Sequence, residues 1–298
     1  MVIVNKCPFL KTEMETNTVK FPTEKTKRIA MFCDLRDSTD ILLNFEQGIY
    51  RGIENRGEKA FTYEEFILDV HETSYKELYL GHENTYAEIY GDGVMGIFPE
   101  DNAKYILENI YRLTKRMRVY NDSIGVGVFK PRIDIGFGIT VGEVSFIYYP
   151  LDKRHHPVGR CIHEAARIEG ISRLYDARVL ISDRFFKFAD TYIHTDNRFS
   201  YRFIDQIILK HFREPITLYE LLIDNDPRFE TKKNSTGEYS EAYSKYCRGE
   251  WEAAKRLFQK IYYEYRLGIG SVMAKRCDIL LKSPPVHDWY GIWNMEDK

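Results

Sequence analysis

Between Asn84 and Pro99 two strand-like runs stand on either side of Gly91-Asp92-Gly93, and an Asp-Gly pair in that position signals a hairpin. A hairpin needs further strands and helices to cover it, and the flanking sequence supplies both. Residues 28–35 (Arg-Ile-Ala-Met-Phe-Cys-Asp-Leu) read as a buried strand, and residues 37–48 have the caps and apolar spacing of a short helix. Residues 62–80 predict a second helix, with Tyr63, Phe66, Ile67, Val70, Ser74, Glu77 and Leu78 at mostly helical spacing, and residues 101–120 a strongly amphipathic third. Residues 132–150 predict two strands hinged near Gly142, residues 158–174 a helix, and residues 179–182 and 218–222 further strands. The order β, α, ββ, α, ββ, α, β is that of an α+β fold with a largely antiparallel sheet, its helices covering one face.

The pattern changes late in the chain. A polar stretch from Asp224 to Glu238 reads as a linker, and all three tryptophans (Trp251, Trp289, Trp293) follow it. The predicted organisation is an N-terminal extension (1–27), a main domain (28–222), a linker (223–239) and a helical tail (240–298). The tail begins as a helix, Gly249 break, helix pattern like one tetratricopeptide unit; a single unit cannot bury its own face, so a cap on the main domain or on a dimer partner is expected.

Charge is balanced, with 43 Lys+Arg against 45 Asp+Glu and a net charge of −2, which argues against a nucleic-acid-coating protein. Aromatics at 14% argue against disorder. No apolar run reaches the roughly 18 residues of a spanning helix, and the N-terminal Met-Val-Ile-Val is broken by Asn5 and Lys6, so neither a membrane helix nor a signal peptide is expected, and the predicted location is cytoplasmic. Cys7, Cys33, Cys161, Cys247 and Cys277 are scattered singly, which suits free thiols better than disulfides or zinc.

Three side chains carry chemistry. Asp34 ends a hydrophobic strand and Asp92 occupies the hairpin turn. Such acids are ordinarily exposed turn residues, but two strand-end carboxylates that converge, together with phosphate oxygens, are the ligands Mg²⁺ or Mn²⁺ prefers. In Gly159-Arg-Cys-Ile-His-Glu-Ala-Ala-Arg-Ile-Glu-Gly170, His163 and Arg167 share one helix face at i and i+4. An arginine there can neutralise a transferring phosphoryl group; the plainer reading pairs it with Glu164 or Glu169.

In combination these segments resemble the class III nucleotidyl cyclase family across about residues 28–222, through four ordered motifs: Phe32-Cys-Asp-Leu-Arg-Asp-Ser-Thr39, Glu88-Ile-Tyr-Gly-Asp-Gly-Val-Met-Gly-Ile-Phe98, Gly138-Ile-Thr-Val-Gly-Glu-Val144, and the segment from Gly159 to Glu169. The tail from Ser283 to Trp293 is also similar to one that follows some bacterial members. The resemblance implies that Asp34 and Asp92, with the backbone carbonyl of Leu35, bind two divalent cations, Mn²⁺ or Mg²⁺, and that Arg167 stabilises the transition state. One metal then activates the ribose 3′-hydroxyl for attack on the α-phosphorus while the other binds the triphosphate. Lys210 resembles the family's triphosphate-binding lysine, with Arg213 as the nearby alternative. The resemblance further implies a head-to-tail homodimer in which the aspartates and the arginine of one site come from different subunits.

The departures concern the base. The adenylate cyclases of the family carry a lysine four residues before the second metal aspartate and an aspartate eleven before the arginine; here these positions hold Glu88 and His156. Family guanylate cyclases share the glutamate but pair it with cysteine, and the ribose-orienting asparagine is replaced by His163. An ionised Glu88 only accepts hydrogen bonds, so it suits the ring N–H of uracil or guanine and faces a lone pair on adenine or neutral cytosine, a mismatch of about 1–3 kcal/mol. His156 is placed to donate to a carbonyl such as uracil O4, and Tyr50, in the segment 45–51, either fills space a purine would occupy or is a core aromatic.

With these substitutions the chain looks like the stand-alone pyrimidine cyclases of bacterial Pycsar antiphage systems, whose cyclic UMP or cyclic CMP activates a separate effector protein. The expected reaction is UTP to 3′,5′-cyclic UMP, with cytidylate or guanylate cyclase and an inactive cyclase-fold regulator as alternatives. A diguanylate cyclase does not fit, since Ile89-Tyr-Gly-Asp-Gly93 lacks its turn, and Gly125-Val-Gly-Val-Phe-Lys130 breaks a dinucleotide-binding GxGxxG at its last position.

Overall fold

The computed structural model describes residues 24–50, 62–79, 83–124, 130–285 and 289–295. Most of the N-terminal extension with Cys7, the Arg51 end of the segment 45–51, the Gly125–Phe129 part of the broken glycine motif and Val286–Asp288 of the tail lie outside them. The strands are β1 (Thr26–Leu35), β2 (Tyr86–Tyr90), β3 (Gly93–Pro99), β4 (Ile135–Tyr149), β5 (Arg154–Val158), β6 (Val179–Ser182), β7 (Phe199–Ile208), β8 (Pro215–Ile223) and β9 (Trp293–Asn294). The helices are α1 (Ser38–Glu46), α2 (Tyr63–Leu78), α3 (Ala103–Ser123), α4 (Arg160–Ser172), α5 (Asp183–Thr195), α6 (Phe229–Asn234), α7 (Thr236–Cys247), α8 (Trp251–Tyr265) and α9 (Gly268–Lys282). They build one α+β sheet in the order β2-β3-β1-β4-β6-β8-β7-β9, with β5 paired to the far end of β4. Only β4–β6 and β7–β9 run parallel.

Alternation along β1 sorts the two sheet faces, because successive side chains point to opposite sides. Ile29, Met31, Cys33 and Leu35 enter a core built with α2, α3 and α5. Ala30 enters the opposite face, where Met95, Val144, Phe146, Cys161 and Ala165 pack and where α4 lies. Helices thus cover both faces rather than the single face expected. In α2 the buried residues Phe66, Val70, Ser74 and Leu78 recur every fourth position, and Thr62 and Glu65 close a capping box at its start.

Several segments differ from the sequence expectation. Residues 135–149 form one strand rather than two hinged at Gly142, because Ile135–Val144 pairs with β1 while Ser145–Tyr149 continues unbroken to pair with β5. Gly142 gives room to α4 instead, since a Cβ there would stand 2.7 Å from that of Cys161. Helix α5, capped by Ser182 Oγ accepting from Phe185 N at 3.1 Å, and strands β5 and β7 go beyond the elements the sequence pattern predicts. The polar stretch 224–238 is mostly helical and tied down by its polar groups. Lys232 is buried with its Nζ 2.6 Å from Glu220, Asp226 reaches Arg178 at 3.5 Å, and Asn225 Nδ2 donates to Thr114 Oγ1 at 3.0 Å.

The tail helices pack on the sheet: Tyr239, Phe258 and Met273 share a core with Leu180, Ile204, Ile207 and Leu218. The tail then returns to the sheet edge, where Trp293 and Asn294 pair with Ile207 and Ile208, and Trp289 Nε1 donates to Tyr246 O at 2.8 Å. Among the described residues no helix is long and apolar enough to cross a membrane.

Candidate active site

The hairpin positions Asp92. Tyr90 pairs with Gly93, and Gly91 takes the positive φ of 61° that the first corner of a two-residue turn requires. In register with Gly93, across β1, stands Asp34. Burial, followed by the charge of Asp92, pushes Asp34 up to about 6. Glu169 of α4 faces the same spot: burial first, then the charge of Asp34, raises it to about 7, and Arg36 offsets only part of this. Arg36 is itself engaged by Ser172 Oγ at 3.0 Å, Asp134 at 3.4 Å and the carbonyl of Ala177.

Helix α4 can lie this close because β4 presents glycines beneath it. A Cβ at Gly138 would collide with the backbone of Ala165 and Glu169, and one at Gly136 would stand 2.6 Å from Glu169 Oε1. Cys161, Ala165 and Ile168 are buried, while His163 and Arg167 are exposed on the outer side. Arg167 precedes Glu169 by two residues, about 200° around the helix, so it turns away from Asp34 of its own chain. Glu164 is buried and held by Arg184, and among the described residues no ion pair involves Arg167.

Glu88 sits on β2 in register with Met95, opposite Phe32, on the sheet face that carries α4. It is therefore on the same face as Asp34, two strands across and one alternate position along. His156 of β5 approaches it, with Nδ1 4.0 Å from Glu88 Oε2. Both base-contacting positions expected from the sequence thus come together in one chain. Neighbours already occupy the groups expected to contact the base, however. Tyr86 and Tyr90 donate to Glu88 Oε2 at 2.6 and 2.8 Å, and His156 Nε2 lies 2.5 Å from Asp152 Oδ2.

Lys210 is exposed in the turn after β7. That turn touches the start of α4 through Arg160, which pairs with Glu214 at 3.1 Å and stacks over Phe212. Tyr50 packs on Phe45 at 5.2 Å between ring centres and accepts from Asn44 at 3.4 Å, which is the placement of a core aromatic. Leu35 is buried at the end of β1. An open cleft of about 330 Å³ runs from Asp34 past Ser38 and Thr39 at the start of α1 to Glu169 and Arg173.

Among the described residues no group of three or more His, Cys, Asp or Glu is poised to hold a metal ion. The pair Asp34 and Asp92 nevertheless fits a hard divalent cation: both are oxygen donors, and burial and the charge of Asp92 raise Asp34 with no cation among the described residues offsetting this at the pair itself.

Sequence reasoning missed Tyr86, Tyr90, Asp152 and Arg36, and took Glu169 only as a partner for Arg167. The period of two in β2 would have placed Tyr86, Glu88 and Tyr90 on one face; nothing in the sequence marks Arg36.

No family model matches the chain. Two curated relatives are the terminal-differentiation-specific adenylate cyclase of Dictyostelium discoideum, 26% identical over 135 residues (44% of this chain, 6% of that protein), and the adenylate cyclase of Anabaena cylindrica, 27% identical over 137 residues (44% and 26%). The chain therefore spans only a minor part of either relative. Among solved structures, the adenylyl cyclase CyaB from P. aeruginosa superposes with a TM-score of 0.51 at 21% identity, over 67% of this chain and 95% of that one. A bacterial light-regulated adenylyl cyclase gives 0.52 at 13% identity, over 70% and 55%. The fold is that of the class III nucleotidyl cyclases.

Proposed function

We propose that the chain is a nucleotidyl cyclase that converts UTP to 3′,5′-cyclic UMP and pyrophosphate, working as a head-to-tail homodimer with two sites between the subunits. The observation that carries this reading is the crowded pair Asp34 and Asp92, on the same sheet face as Glu88 and His156, with Arg167 turned away from them. In a two-fold dimer the Arg167 that faces outward from one chain reaches the aspartates of the other.

Asp34, Asp92 and the Leu35 carbonyl would hold two Mn²⁺ or Mg²⁺ ions. Such ions, when bound, lower the pKa of the ribose 3′-hydroxyl and neutralise the triphosphate. The 3′-hydroxyl proton leaves to water, and the 3′-oxygen bonds to the α-phosphorus as the bond to pyrophosphate breaks. Arg167 stabilises the charge on the transferring phosphoryl group, Lys210 binds the triphosphate and His163 contacts the ribose. Ser38 and Thr39, which line the cleft, begin α1, and a helix N-terminus suits phosphate oxygens. Glu88 accepts the ring N–H of uracil, with His156 beside it. From the motif resemblance, the product serves as second messenger to a separate effector in antiphage defence.

Guanylate cyclase is the second reading, because an accepting Glu88 suits guanine N1–H equally. A dead regulator is disfavoured by the presence of Asp34, Asp92 and Arg167 together. The test incubates the protein with ATP, GTP, CTP and UTP plus Mn²⁺ and identifies products by mass spectrometry. Cyclic UMP is expected; cyclic AMP as the main product would sink the base assignment, and no product from any nucleotide would sink the enzyme reading.

A further inference from the structure

Glu88 is held before any nucleotide arrives. Alternate residues of β2 share a face, so Tyr86 and Tyr90 flank it, and both hydroxyls donate to the same oxygen, Oε2. Aromatic neighbours fix the phenol rings: Tyr90 lies 6.4 Å from Phe32 and Tyr86 6.0 Å from Phe146, centre to centre. The chain of contacts runs on, with the Tyr86 hydroxyl 3.5 Å from His156 Nδ1 and His156 Nε2 bound to Asp152. Tyr86 gives its proton to Glu88, and the Asp152 carboxylate, which can only accept, takes the Nε2–H of His156.

We propose that Tyr86 and Tyr90 are specificity-positioning residues: they fill Oε2 of Glu88 and leave Oε1 as the acceptor that reads a base N–H. This rests on the reading that Glu88 faces the base. A carboxylate free to rotate can swing away from a base that presents a lone pair, and its discrimination weakens; one pinned by two donors cannot. Burial, and then the hydrogen bond to Glu88, raises Tyr90 to about 12 and Tyr86 further, so both phenols remain donors at any pH used for assay. His156 then acts through Tyr86, with both ring nitrogens facing groups of its own chain.

The test measures binding rather than turnover. Dissociation constants of the 3′-deoxy analogues of UTP, GTP, ATP and CTP are determined calorimetrically with Mn²⁺ for the wild type, Glu88→Gln, Tyr86→Phe, Tyr90→Phe and the double phenylalanine variant. Phenylalanine keeps the rings, and Tyr90 is half exposed, so Tyr90→Phe folds even if a change at Tyr86 is disruptive. The wild type is expected to prefer the uracil or guanine analogue over that of adenine. The double variant is expected to lose about tenfold of that preference, as Glu88→Gln does, chiefly by weaker binding of the preferred analogue. If Glu88→Gln abolishes the preference and the phenylalanine variants keep it, the base reading stands and the positioning role is overturned. A wild type that binds the adenine analogue as tightly as the uracil one overturns the Glu88 reading and this inference with it.

Discussion

Two groups of acids, one buried and one half-buried, lie in this fold and behave in opposite ways. Under the tail and the polar stretch before it, Glu220 is fully buried between Arg202 and Lys232, at 2.7 and 2.6 Å. Burial alone would raise it, yet the two cations outweigh burial and hold it below the usual carboxylate range. Asp205 is likewise enclosed by Arg276 and by the hydroxyls of Tyr175 and Tyr243 at 2.6 and 3.2 Å. At the end of β1 burial wins instead: Asp34 and Glu169 are both raised, and Arg36 is shared among other partners. Acids whose counter-charges are built into the chain fasten the fold. The acids at the end of β1 receive less counter-charge from the described residues, and in the proposed mechanism divalent metals and the partner subunit's Arg167 supply it.

The two clusters differ most in what they do for activity. Asp34→Asn or Asp92→Asn is expected to lower cyclic nucleotide formation by about a thousandfold or more, consistent with loss of several kcal/mol of metal assistance, while the melting temperature holds or rises because like-charge crowding is relieved. A melting temperature that falls sharply in Asp34→Asn would make that cluster structural. Glu220→Gln is expected to do the reverse, costing about 3–5 kcal/mol of stability because Arg202 and Lys232 are left uncompensated, as read from denaturant unfolding; a loss under about 1 kcal/mol would show that this cluster does not fasten the fold.

Smaller effects sharpen the contrast. Gly138→Ala pushes α4 from the sheet, with an expected cost of about 1–3 kcal/mol from overpacking and reduced turnover, because Glu169 and Arg167 ride on that helix; full activity would mean that the close approach of α4 is dispensable. Smallest is the pH dependence of metal-free protein. Asp34 and Glu169 titrate higher in the folded than in the unfolded chain, so the fold binds more protons between about pH 4 and 7 and loses stability as pH rises through that window. Glu220 and Asp226 are lowered, so their contribution is present above the unfolded carboxylate pKa and is lost as pH falls through their folded values. Melting curves in chelator across pH 4–8 should decline toward pH 7, flatten in Asp34→Asn and flatten on adding Mn²⁺. A wild-type profile that rises toward pH 7 contradicts the sign.

The parts of this fold legible in the sequence were those where periodicity and burial agree. The hairpin at Gly91-Asp92-Gly93, the strand at 26–35 and the helix at 63–78 carry their pattern locally. Strand β5 was illegible because Arg154-His-His-Pro-Val158 has no alternation and survives as a strand by pairing with the extension of β4. The polar stretch 224–238 misled because solvated and internally paired charges look alike in composition, and only the burial of Lys232 separates them. In the candidate site, residue types revealed which acids and cations to watch. What composition cannot carry is which way each one points, and that follows from the glycine floor beneath α4, which turns Glu169 in and Arg167 out.

That orientation makes one mixing experiment decisive. Asp34→Ala and Arg167→Ala chains, each inactive alone, are combined and assayed for cyclic nucleotide. With sites shared across a two-fold dimer, half the dimers are mixed and each regains one intact site of two, so about a quarter of wild-type activity should return. If the mixture stays as inactive as its components while dimers exchange freely, each chain carries a complete site of its own and the shared-site account is wrong.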